Sequence, residues 1–598
     1  MDSRQDSLLA HAREFLTSEK YRPKFSEIEV RALKSFFTNI DSRVFFVHSL
    51  PEAVIDVLLS MYSRMKNSRG LRGMFVDSFL PQFLAAQLNE TAKHFDEDAP
   101  RFLGHFKINS LESYINHSAE TRRSLLDFLG ALSVDAEYVK KFSAGAKVKK
   151  FLSVWLDKYG HNSIARMAKL SFCCENISIL AAKSLEWTRP GAGYIELSTR
   201  YVDMSGKDMY PIWEELGEFE IDKKHVQTTM DYAFDQYRGW QGENFMGEFP
   251  RYLRNKYGRM FGEKDLEAGV IGETCDVLGN FLPCATLTSV GVAVSGEAFP
   301  QILKHLLLDN TPENHVLAEM IIAEAAKIGG DQFVRHYQPS SWEGALWEYP
   351  APYRFDSANW IANSFLVDAD REALTQNEML SRSGIERANL VPRHIVKMIL
   401  AGSFTRQEMF STQSPYAHDL SSAIRTLAKI SRTEFDRLPN HFELLSAVFL
   451  GQMSFRGWRD LQRQQLATHY RTLVTPELGF YKYDKPAPSG FFRACHGIWK
   501  GNADLYTTWY TNDAPRHLLQ YAMAMGNMVG FQFGANLSEI EFCTWQRTKF
   551  SVNHEVRKIF IEMEEALRTE YSWWPNLSRA DLTSVYVFAR TACGVPLV

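Results

Sequence analysis

The sequence predicts an α-rich α+β protein built from two similar halves. Three observations lead to this fold class. Apolar residues recur at spacings of three and four over seven long segments, which is the period of an amphipathic helix. Only three short stretches are typical of strands. The same order of elements also recurs in both parts of the chain, which indicates a tandem duplication.

The individual elements follow from these patterns. Helices are expected at 50–65, 151–186, 317–328, 395–410, 421–433, 441–468 and 552–569. Strands are expected at 44–47, 286–294 and 528–533. In the repeat, segment 175–202 corresponds to 451–474, where a long helix enters a basic loop that ends in an aromatic segment. Segment 281–308 corresponds to 528–556, where a strand precedes a small-residue turn and a helix.

The chain of 598 residues is too long for a single core and is expected to contain two domains. Segment 337–362 has three prolines and no helical period, so it is the best candidate for a connection. We therefore expect an N-terminal extension at 1–40, a first domain at 41–340, a linker at 341–362 and a second domain at 363–598. The two halves are expected to pack as an intramolecular pseudo-dimer.

Composition narrows the class of function. Sixty-seven basic and 71 acidic residues give a net charge of -4, which argues against a nucleic-acid partner and allows small anionic ligands. The N-terminal segment has no apolar signal region, and no run reaches the ~20 apolar residues of a membrane span. Seven cysteines without a Cys-x-x-Cys pair indicate neither a disulfide framework nor a zinc site. A cytoplasmic protein without a membrane partner is expected.

The segment TRPGAGYIELSTRYVDMSG, residues 188–206, carries the clearest chemistry. If it is extended, Glu196, Ser198 and Arg200 lie on one side by the two-residue period of a strand. A guanidinium and a hydroxyl can grip a phosphate, and amides exposed by Gly191 and Gly193 can add donors. The alternative is a surface ion pair between Glu196 and Arg200 with no function.

This segment resembles the signature RHRxxSxNExSxRY of the flavin-dependent thymidylate synthases (ThyX). The matching positions are Glu196, Ser198, Arg200 and Tyr201. The Arg-His-Arg, first Ser and Asn of the signature are replaced by Thr188, Arg189, Pro190, Gly193 and Ile195. Upstream, His161 and Ser163 resemble the start of the family's His-x-Ser/Thr-x-x-Glu-His segment.

The second half resembles other parts of the same family. Asn536, Arg547 and Glu555 keep the intervals of eleven and eight residues of its Asn-x-Arg…Arg…Glu helix. Glu443 and Arg463 keep the family's twenty-residue interval between a helix glutamate and Arg-His-Arg. Because the family assembles each active site from several subunits, the resemblance implies one composite pocket. The loop of the first half would meet Arg547 of the second half there.

The resemblance implies two ThyX-like α+β halves and methylation of the uracil C5 of dUMP. Methylenetetrahydrofolate would donate the carbon, reduced FAD the hydride, and NADPH would reduce the flavin. It further implies a homodimer, and it gives Arg547 a catalytic role. Substrate would bind to Glu196, Ser198, Arg200, Tyr201 and Arg547, with Glu196 orienting the donors. The flavin would be supported by His161, Ser163, Arg189, Glu443, Arg463 and Asn536.

Two alternatives stay open. The fold could serve a flavoenzyme that acts on another pyrimidine nucleotide or another acceptor. It could also have become a non-catalytic nucleotide-binding protein. No catalytic role is expected for Cys173 or Cys174, because their position on an apolar face indicates packing.

Overall fold

The architecture comes from a computed structural model of the chain. It describes residues 3–50, 52–64, 68–79, 162–186, 190–200, 202–334, 337–341, 343, 380–381, 383–392, 428–434, 436–512, 514–583, 585–589, 591 and 594–597. Helices and strands both contribute to the described part, as expected for an α+β protein.

The α-helices differ widely in length. They are α1 (Ser3–Thr17), α2 (Glu27–Leu33), α3 (Glu52–Ser60), α4 (Gly70–Met74), α5 (Asn162–Arg166), α6 (Ile179–Leu185), α7 (Ile212–Gly217), α8 (Lys223–Gln241), α9 (Glu248–Tyr257), α10 (Glu263–Leu278), α11 (Phe299–Leu308), α12 (Pro312–Ala326), α13 (Phe455–Leu461), α14 (Phe491–Thr511), α15 (Arg516–Leu519), α16 (Leu537–Thr548) and α17 (His554–Glu570).

The strands form two four-stranded antiparallel sheets and one small parallel pair. They are β1 (Val44–Phe46), β2 (Lys169–Ser178), β3 (Ala192–Glu196), β4 (Leu287–Ser295), β5 (Leu380–Ser381), β6 (Gly384–Leu390), β7 (Ser446–Ser454), β8 (Thr468–Arg471), β9 (Phe480–Tyr481) and β10 (Met528–Asn536). The strand order is β1-β2-β4-β3 in the first sheet and β6-β7-β10-β8 in the second. Both sheets therefore place their strands in the same order along the chain.

Two predicted helices are wrong in the same way. Within 151–186 the chain forms β2 and then the short helix α6, and within 441–468 it forms β7 and then α13. β2 carries a mostly buried run, because seven of its ten residues, on both faces of the sheet, are buried. Such a run has no two-residue alternation and cannot be told from a buried helix by periodicity.

The other predictions fare better. The three predicted strands correspond to β1, β4 and β10, and the helices at 317–328 and 552–569 correspond to α12 and α17. The helix at 50–65 is shorter than predicted, since α3 passes into a 3-10 turn at Met61–Arg64. The helix at 395–410, residues 421–427 and most of the 341–362 linker lie outside the described residues.

The two halves share one apolar core and are joined by main-chain hydrogen bonds. The segments that precede β4 and β10 run antiparallel, with Pro283 opposite Ala524. Four hydrogen bonds between described residues cross this junction: Cys284 N to Met523 O (2.8 Å), Ala285 N to Tyr521 O (2.9 Å), Met525 N to Leu282 O (2.8 Å) and Gly526 N to Asn280 O (2.7 Å).

The predicted N-terminal extension packs on the first half. Ser7 Oγ donates to Glu218 Oε1 at 2.8 Å, and Arg13 Nη2 donates to Glu319 Oε2 at 2.8 Å. These contacts place α1 against α7 and α12. Among the described helices, none combines the length and the apolar character that crossing a membrane requires.

Candidate active site

The signature segment lies at the end of β3, an edge strand of the first sheet. Glu196 is the last residue of β3 and lies opposite Val290 of β4. The chain then turns, because the amide of Val202 donates to the carbonyl of Ser198 at 3.2 Å. The expectation that residues 196–200 form one extended segment is therefore wrong beyond Glu196.

The glycines act differently from the expectation. Gly193 lies inside β3, opposite Ala293, so it belongs to the sheet rather than to an exposed loop. Gly191 has a φ of 89°, a conformation that favours glycine, and a Cβ there would lie 2.6 Å from the Ser295 hydroxyl. Both residues thus shape the entry into β3.

A cavity of about 270 Å³ opens where this turn meets the second half. The first half contributes the turn after β3, and the second half contributes the segment after α13. Its lining consists of Ser63, Glu186, Tyr194, Ile195, Glu196, Ser198, Arg200, Gln462, Arg463 and Gln465. Four residues predicted from the sequence, Glu196, Ser198, Arg200 and Arg463, therefore meet at one composite cavity.

Glu196 is a buried carboxylate that binds cations from both halves. Lys183 Nζ of the first half lies 2.8 Å from its Oε2, and Arg459 Nη2 of the second half donates to its Oε1. Thr288 Oγ1 adds a hydrogen bond at 3.4 Å. Burial alone would raise the pKa of Glu196, but Arg459 and Lys183 lower it to about 2. Glu196 is consequently ionised at neutral pH.

Arg200 is held between carboxylates of the two halves. Its Nε lies 3.4 Å from Asp276 Oδ1, and its Nη2 lies 3.1 Å from Asp460 Oδ2. Arg456 Nη2 also contacts Asp276, at 3.1 Å. Burial would raise the pKa of Asp460, but Arg200, Arg463 and Arg547 hold it well below its usual value. This arrangement fixes the guanidinium of Arg200 at the edge of the cavity.

Arg547 lies beside the cavity rather than in its lining. When the Gln464 side-chain oxygen faces it, that oxygen accepts from Nε at 2.7 Å and from Nη2 at 2.8 Å. Burial lowers the pKa of Arg547, and the nearby Asp460 opposes that shift. Arg200 and Arg547 thus both interact with the carboxylate of Asp460.

The charges around the cavity do not cancel. Within the described part of the chain the cluster contains six cationic side chains and four carboxylates, a net charge of about two positive units at neutral pH. These are Lys183, Arg200, Arg456, Arg459, Arg463 and Arg547, with Glu186, Glu196, Asp276 and Asp460. Such a cluster attracts a dianion such as a phosphate monoester.

The remaining predicted residues are dispersed or not described. Tyr201, His161 and Arg189 lie outside the described residues, and Ser163 belongs to α5 without a described side chain. Asn536 caps α16 by accepting from the amide of Glu539 at 2.8 Å. Glu443 is an exposed residue of a neighbouring 3-10 turn. α16 separates Asn536 from Arg547 by eleven residues, or about 16 Å along its axis.

Sequence reasoning missed the ion-pair partners at this site. Lys183 lies on α6 and Arg459 on α13, the two short helices that were misread as parts of long ones. A signal was present in the repeat, because each short helix carries a cation on its last turn. Aligning the serines that precede both helices, Ser178 and Ser454, would have paired Lys183 with Arg459.

Comparison with known proteins identifies the segment that contains this site. Residues 116–328 match the family described as thymidylate synthase complementing protein. This is the family of the flavin-dependent thymidylate synthases, which the segment therefore resembles. It includes Glu196, Ser198 and Arg200, so the resemblance of the first half is confirmed. The second half lies outside the matched residues of the thymidylate synthase family.

Relatives extend over much more of the chain. A UPF0159 protein of Chlamydia muridarum is 22% identical over 556 residues and covers 90% of this chain and 92% of its own length. The UPF0159 protein Ta1429 of Thermoplasma acidophilum is 23% identical over 480 residues and covers 73% of this chain and 90% of its own length. Neither name states an activity.

Among the solved structures that resemble part of the chain is one of a nucleotide-modifying enzyme. It is the crystal structure of a UMP/dUMP methylase PolB from Streptomyces cacaoi bound with 5-Br dUMP. The identity is 17%, the TM-score is 0.27, and the match covers 34% of this chain and 99% of the other. A likeness of this size is too weak to bear on the candidate site.

Proposed function

We propose that the composite cavity binds dUMP and that the chain methylates its uracil C5 with methylenetetrahydrofolate. The observation that carries the proposal is the net positive charge around Glu196, Ser198 and Arg200, which lie inside the segment that matches the thymidylate synthase family. A phosphate monoester carries about two negative charges, which matches the net charge of the cluster. The halves would form the proposed pseudo-dimer, and the identical strand order of the two sheets supports a tandem duplication.

The protein groups would bind and polarise the substrate. Ser198 and Arg200 would hold the 5'-phosphate, sharing the Arg200 guanidinium with Asp276 and Asp460. Arg547 would stabilise negative charge that develops on the uracil ring as C5 becomes nucleophilic. Glu196 faces Lys183 and Arg459, so its role would be to fix the end of β3 rather than to orient the phosphate donors.

The described residues that were predicted to support FAD do not lie around one cavity. Reduced FAD supplies a hydride in this family's reaction, with NADPH as its reductant. Arg463 lines the composite cavity, whereas Glu443 and Asn536 lie near the other end of α16. Arg166, the last residue of the helix that holds Ser163, lines a separate cavity of about 790 Å³. These positions do not form one flavin site, so flavin use stays a prediction.

The nucleotide site is tested by binding. We expect Arg200→Ala to weaken dUMP binding by ~1.5–3 kcal/mol, because a charge-assisted hydrogen bond to phosphate is lost. Titration calorimetry measures this effect. The matched control is Arg13→Ala, which removes a half-exposed arginine far from the cavity and should leave the affinity unchanged. Equal affinities of the native chain and Arg200→Ala would remove Arg200 from the site.

The activity is tested separately. Absorbance near 450 nm after incubation with FAD would support the flavin, and rescue of a thymidine auxotroph would support dUMP as the acceptor. A protein that binds dUMP but neither binds FAD nor rescues growth would favour the non-catalytic alternative. This alternative is retained because the described residues that were predicted to support FAD lie far apart.

A further inference from the structure

The repeated topology assigns each residue of the candidate site a counterpart in the other half. In each sheet the third strand in order follows a 3-10 turn, Gly279–Phe281 before β4 and Gln520–Ala522 before β10. Val290 and Phe531 both lie nine residues after the end of that turn. Glu196 pairs with Val290, and Arg471 pairs with Phe531. Arg471 therefore occupies the position in the second half that Glu196 occupies in the first.

The cations that surround these positions are also counterparts. Ser178 and Ser454 cap α6 and α13, and Lys183 and Arg459 each lie five residues after the cap. A symmetric molecule would pair each cation with its own carboxylate. Here both cations contact Glu196. The two halves have thus concentrated their ion pairs at one position.

The counterpart position is built for a different purpose. Arg471 is buried, and its Nη1 donates to Gln520 Oε1 at 3.0 Å and to the carbonyl of Thr472 at 2.8 Å. Its guanidinium lies 4.8 Å from the ring centre of Phe455 and 5.1 Å from that of Trp458. These contacts make Arg471 part of the core, where it would repel rather than receive Lys183 or Arg459.

The groups that would bind an anion are missing as well. Counting forward from Arg471, the positions equivalent to Ser198 and Arg200 are Leu473 and Thr475. Leu473 is buried and apolar, and Thr475 Oγ1 bonds to Glu477 Oε2 at 3.1 Å. A carboxylate partner at that place opposes an incoming phosphate.

We propose that the chain binds one phosphate-bearing pyrimidine nucleotide and that the second half supports this site instead of forming its own. The inference rests on the proposed function for the identity of the ligand. Arg459 is then a positioning residue, which holds Glu196 and with it the turn that carries Ser198 and Arg200. Arg471 occupies the position that corresponds to Glu196 in the second half, so no second anion site forms there.

Stoichiometry is the direct test. Titration calorimetry and native mass spectrometry of the full chain with dUMP should give one nucleotide per chain, and Arg200→Ala should lose that binding by tenfold or more. Arg471→Lys should keep it unchanged. Two nucleotides per chain, or a site of native affinity in Arg200→Ala, would overturn the inference. No binding by the folded native chain at millimolar dUMP would instead contradict the proposed function.

A second measurement does not depend on any ligand. Glu196→Gln leaves buried Arg459 without the carboxylate that it contacts and leaves Lys183 with Glu186 alone, whereas Arg471→Met removes hydrogen bonds to the neutral groups of Gln520 and Thr472. We expect the Tm of Glu196→Gln to fall by about 2 °C more than that of Arg471→Met. An equal or smaller fall for Glu196→Gln would overturn the claim that both halves' cations contact this one carboxylate.

The positioning role of Arg459 is tested by binding. Arg459→Lys should restore most of the dUMP affinity that Arg459→Ala loses.

Discussion

Asp460 is the carboxylate at which the cations of the site converge. It lies 3.1 Å from Arg200 Nη2 and 3.9 Å from Arg463 Nε, and the charge of Arg547 also acts on it. Its counterpart position in the first half is Ser184, because Ser184 lies six residues after the cap Ser178 and Asp460 lies six residues after the cap Ser454. An acid of the protein itself therefore neutralises arginines that would otherwise repel one another.

Replacing Asp460 by a neutral residue should allow an external anion to stabilise the protein. We expect Asp460→Asn to lower stability by about 1–3 kcal/mol, because the half-buried Arg200 and Arg547 lose a charged partner. Added phosphate should recover part of the loss, since it can replace the carboxylate. Thermal unfolding with and without phosphate measures both effects. The exposed Asp504→Asn is the matched control, and an equal phosphate effect on both variants would contradict the prediction.

Glu215 should make the free energy of unfolding depend on pH between about 4.5 and 8. It is 1% exposed, and burial raises its pKa to about 8, with Tyr210 opposing and Glu313 adding to the shift. The folded state therefore keeps a proton that the unfolded state releases near pH 4.5. The contribution of Glu215 to stability is therefore fully present below that pH and falls by about 1.4 kcal/mol for each pH unit up to about 8.

The variant Glu215→Gln removes this titration. Its free energy of urea unfolding should exceed that of the native chain at pH 9, and the difference should shrink towards pH 5. The exposed variant Glu214→Gln is the control. Parallel pH profiles for the native chain and Glu215→Gln would show that Glu215 is already ionised in the fold.

At the scale of elements, one joint occurs in each half. Ser178 caps α6, and its amide and hydroxyl donate to the two oxygens of Glu313, the second residue of α12, at 2.9 and 2.6 Å. Ser454 caps α13, and its amide and hydroxyl donate to the two oxygens of Glu555, the second residue of α17, each at 2.6 Å. Each joint ties a strand end, a short helix and a long helix together.

These joints provide matched variants. Ser178→Ala and Ser454→Ala should each lower the free energy of unfolding by about 1–2 kcal/mol, because a helix cap and a bond to a buried carboxylate are lost. Denaturant unfolding measures the change. Ser60→Ala on the exposed part of α3 should have almost no effect. If the Ser454 variant alone is destabilised, the two joints are not equivalent.

The same joints show where sequence reasoning stops. The strands β4 and β10 and the helices α12 and α17 follow from local patterns, and they were predicted. The helices predicted across β2 and β7 are wrong. β2 is mostly buried on both faces and carries no alternation, whereas β7 does alternate in burial but was predicted together with α13 as one helix. The serine that ends each strand begins a helix, so the change of period falls inside one apolar run.

The candidate site follows the same division. Glu196, Ser198 and Arg200 were predicted because they are close together in sequence and match a family signature. Lys183, Arg459 and Asp460 were not predicted, because they reach the site only through the packing of two halves. Long-range ion pairs leave no periodic signal along the chain.

At the scale of the whole molecule, a buried polar network links the halves. Glu273 of α10 accepts from Tyr483 and from Lys485, each at 2.8 Å, and lies 3.0 Å from His554 Nε2. Burial would raise the pKa of Glu273, but His554 and Lys485 hold it below its usual value. Lys485 also donates to the carbonyl of Val587, which adds the C-terminal segment to the network.

A double-variant cycle tests this link. Glu273→Gln should cost about 3–5 kcal/mol, because it leaves the buried ammonium of Lys485 without a charged partner. Combining it with Lys485→Met should recover most of that cost. Urea unfolding of the four proteins gives the coupling energy. Additive losses would mean that Glu273 and Lys485 do not stabilise the junction as a pair.

The antiparallel pairing at Pro283 and Ala524 has a consequence for how the polypeptide could be divided. Cutting it within 341–362 would expose peptide groups and apolar surface on each piece, so neither fragment should remain monomeric and soluble alone. Produced together in one cell, the two fragments should find each other through those same peptide groups. A split version would then behave as an obligate heterodimer.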